Sequence, residues 1–287
     1  HNVDFIAVSY VRTAADLKPA RDAVIASGSH TPLIAKIEHP AALEDLEAIV
    51  ETADILMVAR GDLGVEIPLE RVPAAQERIL AAGMARGKPV IVATQMLESM
   101  CDNPRPTRAE VTDVANAIYE GADAVMLSGE TTVGKYPLEC VKFIKRIAHQ
   151  TEKYKTLGYE EKLIADTDWQ HLGIAAKSIA QAIDADGIIA ITRSGSTAEI
   201  VSNAKPFKTP VFAFSNNRKT LKQLSLAGSI NSYYSPMKKD HEKNISGILN
   251  FLKKLLNPKK TLKFVVISGI LSESSADAIE IRNLEVI

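Results

Sequence analysis

The stretch ILMVARGDLG, residues 55–64, joins an apolar run to a charged turn. Five apolar residues lead directly into Arg60, Gly61 and Asp62. A buried strand that ends in opposite charges around a glycine is typical of parallel β/α proteins, which place their functional groups at strand carboxyl ends. Arg-Gly-Asp also suggests cell adhesion, but its position directly after an apolar strand disfavours that interpretation.

Similar apolar runs recur along the first half of the chain, and amphipathic stretches separate them. The apolar runs are Asp4–Val11, Pro32–Glu38, Asp54–Arg60, Pro89–Gln95 and Asp123–Gly129. The amphipathic stretches include Ala41–Ala53, Val72–Arg86 and Glu110–Glu120. Strands that are apolar on both faces and alternate with helices indicate a parallel sheet.

Each apolar run ends in polar residues, which narrows the choice of α/β fold. Doubly wound sheets also bind ligands at strand carboxyl ends, and any one such residue could simply cap a strand beside solvent. Five successive strands with polar ends favour a (β/α)8 barrel. We therefore predict a partial TIM barrel of about five βα units, of the eight in a complete one, over residues 1–154.

The sequence after Tyr154 predicts a second α/β domain, residues 155–287, with three layers. A helix is expected over Gly173–Ala185. The expected strands are Gly187–Thr192, Pro210–Ser215 and Leu262–Ile267. The basic run Lys253–Lys260 is interpreted as a solvated helix end rather than a binding site.

Composition excludes several classes of partner. The 287 residues include 34 Lys plus Arg and 35 Asp plus Glu, giving a net charge of -1. This balance predicts no general binding to nucleic acid or to an anionic membrane. No apolar run approaches the ~18 residues of a membrane span. The two cysteines, Cys101 and Cys140, form no disulfide framework, so a reducing cytoplasm is expected.

Three charged residues predict a metal site. Lys36 and Glu38 are two apart on one strand, so they share a face. A lysine in an apolar strand needs an anionic partner, and Glu38 in that purely structural role is one explanation. Asp62, leaving the next strand, is expected near Glu38. Two close carboxylates repel unless a cation lies between them, and few oxygen ligands suit Mg²⁺ in phosphoryl transfer or enolate stabilisation.

Longer motifs give the chain a specific resemblance to the pyruvate kinase family. They are KIE at Lys36–Glu38, MVARGDLG at Met57–Gly64, ATQMLESM at Ala93–Met100, PRPTRAE at Pro104–Glu110 and MLSGET at Met126–Thr131. The resemblance is dense from Val3 to about Glu152 and looser afterwards. It implies a barrel with a C-terminal regulatory domain, and phosphoryl transfer from phosphoenolpyruvate to ADP, giving pyruvate and ATP in the last step of glycolysis.

The resemblance also implies a role for each matching residue. Lys36 neutralises the transferring phosphoryl group, while Glu38 and Asp62 hold Mg²⁺ or Mn²⁺. The substrate carboxylate is received by residues of two neighbouring strand ends, namely Arg60, Gly61, Asp62 and Thr94. Thr94 also belongs to the catalytic set. Ser128 and Glu130 lie where a proton relay to the enolate carbon has been placed in the family.

The loop TRSGST of the second domain is a candidate anion site. Hydroxyls, a cation and a glycine at a helix N-terminus form a phosphate cradle, although a Ser/Thr-rich helix cap is commoner. Because family effectors are sugar phosphates that bind this loop, the resemblance favours the cradle. The predicted residues are Thr192, Arg193, Ser194, Gly195, Ser196 and Thr197. Ser268–Ala276 lacks the glycine-rich or basic loop of several regulated members, which leaves the effector unidentified.

Two other functions stay open. One is an aldolase or lyase acting on Mg²⁺-bound enolpyruvate, and the other is a regulatory fragment that binds a phosphorylated metabolite without turnover. A barrel closes with eight strands, and we count five. The strand count predicts an incomplete barrel. The resemblance to pyruvate kinase implies that the chain alone is an inactive fragment, without the first barrel strands, the lid domain, the K⁺ ligands and much of the nucleotide site. The resemblance also implies that the complete protein is a homotetramer.

Overall fold

The computed structural model describes residues 3–154, 156–269 and 277–285. It divides into two compact units, one ending at Ile164 and one beginning at Ala165. The change in sequence composition predicts a boundary between residues 154 and 155, which is earlier in the chain than the boundary between the two units. The turn Tyr159–Lys162 packs on the first unit, because the Tyr159 hydroxyl donates to Glu77 and the Ile164 N–H donates to the Ala85 carbonyl at 2.8 Å.

The first unit alternates strands with helices, as the periodicity predicts. Its strands are β1 Ile6–Val11, β2 Leu33–Ile37, β3 Ile55–Ala59, β4 Val90–Ala93 and β5 Ala124–Met126. Its helices are α1 Lys18–Ala26, α2 Pro40–Glu44, α3 Leu46–Thr52, α4 Arg60–Glu66, α5 Val72–Ala85, α6 Arg108–Tyr119, α7 Gly129–Thr132 and α8 Pro137–Thr151.

These five strands form one parallel sheet in chain order, so all carboxyl ends lie at the same edge. The central strand β3 is buried throughout, whereas β5 is half-buried. Helix α5 approaches the sheet closely at Gly83, where an added Cβ would lie 2.4 Å from Val90. Among the described residues, β1 and β5 each pair on one side only. The prediction of five βα units is confirmed.

Two helical stretches of the first unit differ from the prediction. The single helix expected at 41–53 is two helices, which divide at Asp45. Its carboxylate accepts the Ala14 N–H at 2.8 Å. Helix α6 begins at Arg108 rather than Glu110, because Thr107 and Glu110 form a reciprocal capping box.

The second unit contains a mixed sheet. Its elements are α9 Asp168–Ala182, β6 Gly187–Ile191, α10 Ser196–Asn203, β7 Val211–Ser215, α11 Arg218–Leu224, β8 Ile230–Tyr234, α12 His241–Leu256, β9 Leu262–Ser268 and β10 Ala278–Leu284. The strand order is β10-β9-β6-β7-β8, with β10 antiparallel to β9. The sequence analysis missed β8 and β10. It also started α9 too late, because Thr167 caps that helix.

Alternate residues of this sheet face two separate cores, so helices cover both faces. On one face, Ile188 and Val265 pack with residues of α9, α10 and α11. On the other face, Ile189 and Phe264 pack with residues of α12. The predicted three layers are therefore present. No helix in the described ranges is long and apolar enough to cross a bilayer.

Candidate active site

The carboxyl edge of the first sheet brings the predicted site residues together. Ser9 lies within β1 near its carboxyl end, Lys36 and Glu38 lie on either side of the last residue of β2, and Arg60, Thr94 and Ser128 follow β3, β4 and β5. Because these strands are parallel neighbours, residues as far apart as Ser9 and Ser128, 119 positions along the chain, come to one edge.

Lys36 and Glu38 form a short ion pair at the end of β2. Lys36 Nζ lies 2.5 Å from Glu38 Oε1 and donates to Ser9 Oγ at 3.1 Å. Glu38 is 1% exposed, and its Oε2 accepts the Tyr10 N–H at 2.7 Å. A buried carboxylate is stable only with such partners. The lysine side chain keeps a quarter of its surface in contact with solvent, so its charge remains accessible from the strand edge.

Asp62 differs from Glu38 in being exposed. It lies in the first turn of α4, where a negative charge is favoured by the helix dipole. Its carboxylate forms no hydrogen bond or ion pair with any described residue. Of the two carboxylates predicted to share a cation, Glu38 is therefore held by protein partners and Asp62 is not held by any described residue.

Arg60 is 7% exposed, and all three of its guanidinium nitrogens have protein partners. Nη1 donates to both oxygens of Asp113 at 2.8 and 2.7 Å. Nε and Nη2 donate to the Thr94 carbonyl at 3.2 and 2.6 Å, and Nη2 also reaches Gln95 O at 3.1 Å. These contacts join α4 to the end of β4 and to α6.

Thr94 links the ends of β3 and β4. Its hydroxyl accepts the Gly61 N–H at 2.8 Å and donates to the Ala93 carbonyl at 2.6 Å. Thr94 and the following Gln95 have φ of 69° and 52°, which are left-handed values that non-glycine residues rarely adopt. Two such residues at the end of a barrel-type strand indicate a functional constraint on the backbone.

Ser128 and Glu130 lie together beyond β5, but their environments differ. Glu130 is 2% exposed, and its carboxylate accepts the Ser128 N–H at 2.7 Å and the Leu97 N–H at 3.1 Å. The Ser128 hydroxyl is half-buried and forms no hydrogen bond with a described residue. Glu130 therefore joins the backbone at Leu97 to that at Ser128, whereas the Ser128 hydroxyl has no hydrogen-bond partner among the described residues.

The donor set fits a small, hard cation. Among the described residues, no group of three or more His, Cys, Asp or Glu side chains could hold a metal. Mg²⁺ commonly takes one or two protein carboxylates and completes its coordination with water and substrate. Glu38 and Asp62 supply that number of carboxylates.

The two thiols have no features of a catalytic nucleophile. Burial raises the pKa of the Cys140 thiol, and the negative charge of Glu130 raises it further. Desolvation and the same carboxylate raise the pKa of Cys101. Reactive thiols need a lowered pKa, so neither residue is suited to nucleophilic chemistry at neutral pH.

In the second unit, the predicted phosphate loop is a compact turn between β6 and α10. Gly195 has φ of 106° and donates its N–H to Thr192 Oγ1 at 2.9 Å. Ser194 and Ser196 hydroxyls bond each other at 3.0 Å. Thr197 is buried and Arg193 is exposed. The hydroxyls of the loop thus make some of their hydrogen bonds within the loop, as they would in an ordinary helix cap.

A buried hydroxyl beside this loop lacks a partner. Ser268, at the carboxyl end of β9, is 1% exposed, and its Oγ forms no hydrogen bond with a described residue. The preceding Ile267 pairs with Ala190, two residues before Thr192. β7 lies on one side of β6 and β9 on the other, so this is the topological switch point where α/β sheets bind ligands. Most of the predicted opposite wall, residues 270–276, lies outside the described residues.

Sequence reasoning missed three residues at the first site. Tyr10 and Gln95 contact Glu38 and Arg60 through backbone atoms, and both have left-handed backbone conformations, which their residue types do not reveal. Asp113 lies on α6, 53 residues from its partner Arg60. No spacing rule connects positions that far apart, so this contact follows only from the fold.

Comparisons with known proteins agree with the geometry. The family description "Pyruvate kinase, barrel domain" matches residues 1–141, and "Pyruvate kinase, alpha/beta domain" matches residues 170–282. A curated pyruvate kinase of Agrobacterium vitis is 44% identical over 93% of this chain and 56% of its own length. One of Mycobacterium tuberculosis is 40% identical over the same shares.

A solved structure shows the same likeness. A pyruvate kinase crystal structure from Cryptosporidium parvum superposes with a TM-score of 0.91 at 32% identity, covering 99% of this chain and 59% of that one. The chain thus spans somewhat more than half the length of these relatives. With both family descriptions matched in order and a solved structure superposed over nearly every residue, the chain belongs to the pyruvate kinase family.

Proposed function

We propose that the carboxyl edge of the first unit binds phosphoenolpyruvate with Mg²⁺ and serves phosphoryl transfer to ADP. The observation that carries this proposal is the unequal pair of carboxylates, with Glu38 fixed beside Lys36 and Asp62 without a partner in the described part of the chain. Neighbouring strand ends are joined by Lys36 to Ser9, by Thr94 to Gly61 and by Glu130 to Leu97.

The proposed role of each residue follows from the charge of its side chain. Lys36 is the accessible cation, and it would neutralise the transferring phosphoryl group. Glu38 and Asp62 would hold the metal, which when bound stabilises negative charge on the enolate and phosphoryl oxygens. The Ser128 hydroxyl, which has no partner among the described residues, would hold or pass a proton toward the enolate carbon, with Glu130 fixing its backbone.

Arg60 is proposed to support substrate binding without contacting the substrate. Its guanidinium is fully occupied by Asp113 and by backbone carbonyls, so it holds Thr94 and Gly61 in place. The Gly61 amide and the Thr94 hydroxyl, already bonded to each other, would open to receive the substrate carboxylate.

Calorimetric titration of phosphoenolpyruvate into the chain, with and without Mg²⁺, tests this function. We expect binding that requires Mg²⁺ and is weakened at least tenfold by Lys36→Met, because a ligand phosphate loses its cation partner. Lys18→Met is the matched control, since Lys18 lies on α1 in an exposed pair with Asp22. Metal-independent binding, or equal weakening by both variants, would contradict the proposal.

The sheet geometry limits what the 287-residue chain does by itself. A β/α barrel closes with eight strands, whereas the described residues give an open sheet of five. We therefore expect ligand binding but no measurable phosphoryl transfer with Mg²⁺, K⁺, ADP and phosphoenolpyruvate. Turnover near ~10 s⁻¹ would show that this half of the site is sufficient, and would contradict the expectation.

We also propose that the Thr192–Thr197 loop binds a phosphate-bearing effector. The observation that favours it over an ordinary cap is the buried Ser268 hydroxyl at the switch point, which has no hydrogen-bond partner among the described residues. Calorimetry with fructose bisphosphate, ribose 5-phosphate and inorganic phosphate tests the loop. We expect one of them to bind, and we expect Ser268→Ala to weaken that binding. If none binds at millimolar concentration, the loop is an ordinary helix cap and not a phosphate site.

A further inference from the structure

A bulge interrupts β1 immediately before the active-site edge. Val8 pairs with Ala35 and Val11 pairs with Ile37, so three steps along β1 face two steps along β2. Val8 and Val11 both pack on the core of the first unit although they are an odd number of residues apart. In a regular strand they would face opposite sides. The bulge therefore places one extra residue at the site.

The two residues of this bulge contact both charges of the site. The Ser9 hydroxyl accepts from Lys36 at 3.1 Å, and the Tyr10 N–H donates to Glu38 at 2.7 Å. Together with the Lys36–Glu38 ion pair, these bonds engage both oxygens of the Glu38 carboxylate. The carboxylate cannot rotate without breaking one of them.

Tyr10 holds this position in an unfavourable conformation. Its φ is 54°, in the left-handed region where a side chain with a Cβ is disfavoured. Its side chain is 55% exposed, and so gains little from packing. A non-glycine residue that keeps such a backbone beside a functional group is held there by its surroundings, and the strain indicates a functional role.

We propose that Tyr10 is a positioning residue for the metal site, acting through its backbone rather than its ring. Its left-handed conformation aims the amide at Glu38 and fixes the carboxylate orientation in which a cation binds. This inference rests on the proposed Mg²⁺ site and adds a determinant of its affinity. Partners that orient metal ligands typically change metal affinity 10- to 100-fold when they are lost.

The alternative is that the bulge serves only to bring Val11 into the core. In that case, changes at Tyr10 would lower the stability of the fold and leave metal affinity unchanged. A side-chain role is a second alternative, in which removing the ring would weaken binding whatever the backbone prefers. A series of variants graded by tolerance of positive φ separates these explanations.

Mn²⁺ affinity of the 287-residue chain, measured from the loss of the free-ion electron paramagnetic resonance signal, is the readout. Tyr10→Gly accepts positive φ freely and is expected to bind like the wild type, within about twofold. Tyr10→Val introduces a β-branched side chain, which tolerates positive φ poorly. This variant is expected to bind Mn²⁺ about tenfold more weakly. Tyr10→Ala differs from Tyr10→Gly by one Cβ and should fall between them, which keeps the test valid if Tyr10→Val does not fold.

Tyr154→Val is the control, because Tyr154 is an exposed tyrosine beyond α8, and it should not alter Mn²⁺ affinity. In a Glu38→Gln background, Tyr10→Val should add no further loss. Tyr10→Gly binding as weakly as Tyr10→Val, or Tyr10→Val binding like the wild type, would overturn the positioning role while leaving the metal site intact. A wild-type chain that binds no Mn²⁺ would overturn both the role and the site.

Discussion

The carboxyl ends of β2 and β3 carry a lysine and two carboxylates, whereas those of β6, β7 and β9 are followed by or end in the hydroxyls of Thr192, Ser215 and Ser268. Both edges belong to parallel strands. At the first edge, Lys36 and Glu38 are paired at short range, and the Asp62 carboxylate has no partner among the residues that the structure describes. At the second edge, neutral groups mostly bond to backbone.

Both sheets present the ends of parallel strands, but the different residues at those ends suit different ligands. Fixed charges attract both a cation and an anionic substrate. They also lower the energy of a transition state in which charge develops. Neutral hydroxyls and amides around a left-handed glycine bind an anion without supplying catalysis. The structure thus separates a candidate reaction site from a candidate effector site by composition, although both follow the same topological rule.

The largest effect that tests this comparison concerns buried acceptors. Glu130→Ala leaves the Leu97 and Ser128 N–H groups without an acceptor, which should lower the free energy of unfolding of the first unit by about 2–5 kcal/mol. Thr192→Ala removes one acceptor in the second unit and should cost about 1 kcal/mol. Urea unfolding followed by circular dichroism and by Trp169, the single tryptophan, reports the two units.

Glu139→Ala provides the control for that experiment. Glu139 is on α8 with a long, exposed ion pair to Lys142, so its removal should change stability by less than about 0.5 kcal/mol. If Glu130→Ala behaves like Glu139→Ala, the Glu130 carboxylate does not fix the two loops, and a direct role in proton transfer gains support instead.

A smaller effect concerns the charge at the phosphate loop. Arg193→Ala should weaken binding of the effector that the calorimetry identifies by about fivefold, because an exposed cation contributes modestly to an ion pair. Lys254→Ala, an exposed cation on α12, should leave binding unchanged. The same Arg193→Ala variant should retain full Mn²⁺ affinity. A loss of Mn²⁺ affinity would contradict the assignment of the two ligands to different sites.

The smallest expected effect is a pH dependence in the first unit. Partial burial acts to raise the pKa of Glu110, but hydrogen bonds from Ser99 and Thr107 outweigh it and lower the pKa below its ordinary value of 4.5. The unfolded chain therefore binds this proton more readily, and the resulting stability is present above pH 4.5 and is lost as the pH falls through the lowered value.

Glu110→Gln removes that contribution. It should lower stability at neutral pH by about 1 kcal/mol and flatten the decline below pH 4.5. Glu161→Gln, at an exposed position in the turn after α8, serves as the control. An unchanged acid profile in Glu110→Gln would show that the bonds to Ser99 and Thr107 do not stabilise the fold.

In the second unit, sequence patterns predicted the strands that are buried on both faces and missed the two strands at the sheet edges. β8 reads INSYY and β10 reads AIEIRNL, in which polar residues interrupt the apolar signal, because an edge strand is partly exposed. Within the candidate site, residue type and spacing were enough to predict Lys36, Glu38 and Asp62. The bulge at Tyr10 and the contacts of Arg60 did not, since they depend on backbone dihedral angles and on a distant helix.

The most direct test of the account is Mn²⁺ binding to the 287-residue chain and to Glu38→Gln, Asp62→Asn and Asp22→Asn. The first two variants each remove one proposed ligand charge, and the third removes an exposed carboxylate on α1. We predict affinity at least about tenfold weaker in Glu38→Gln and Asp62→Asn, with no change in Asp22→Asn. Unchanged affinity in both ligand variants would contradict a metal site at the carboxyl ends of β2 and β3.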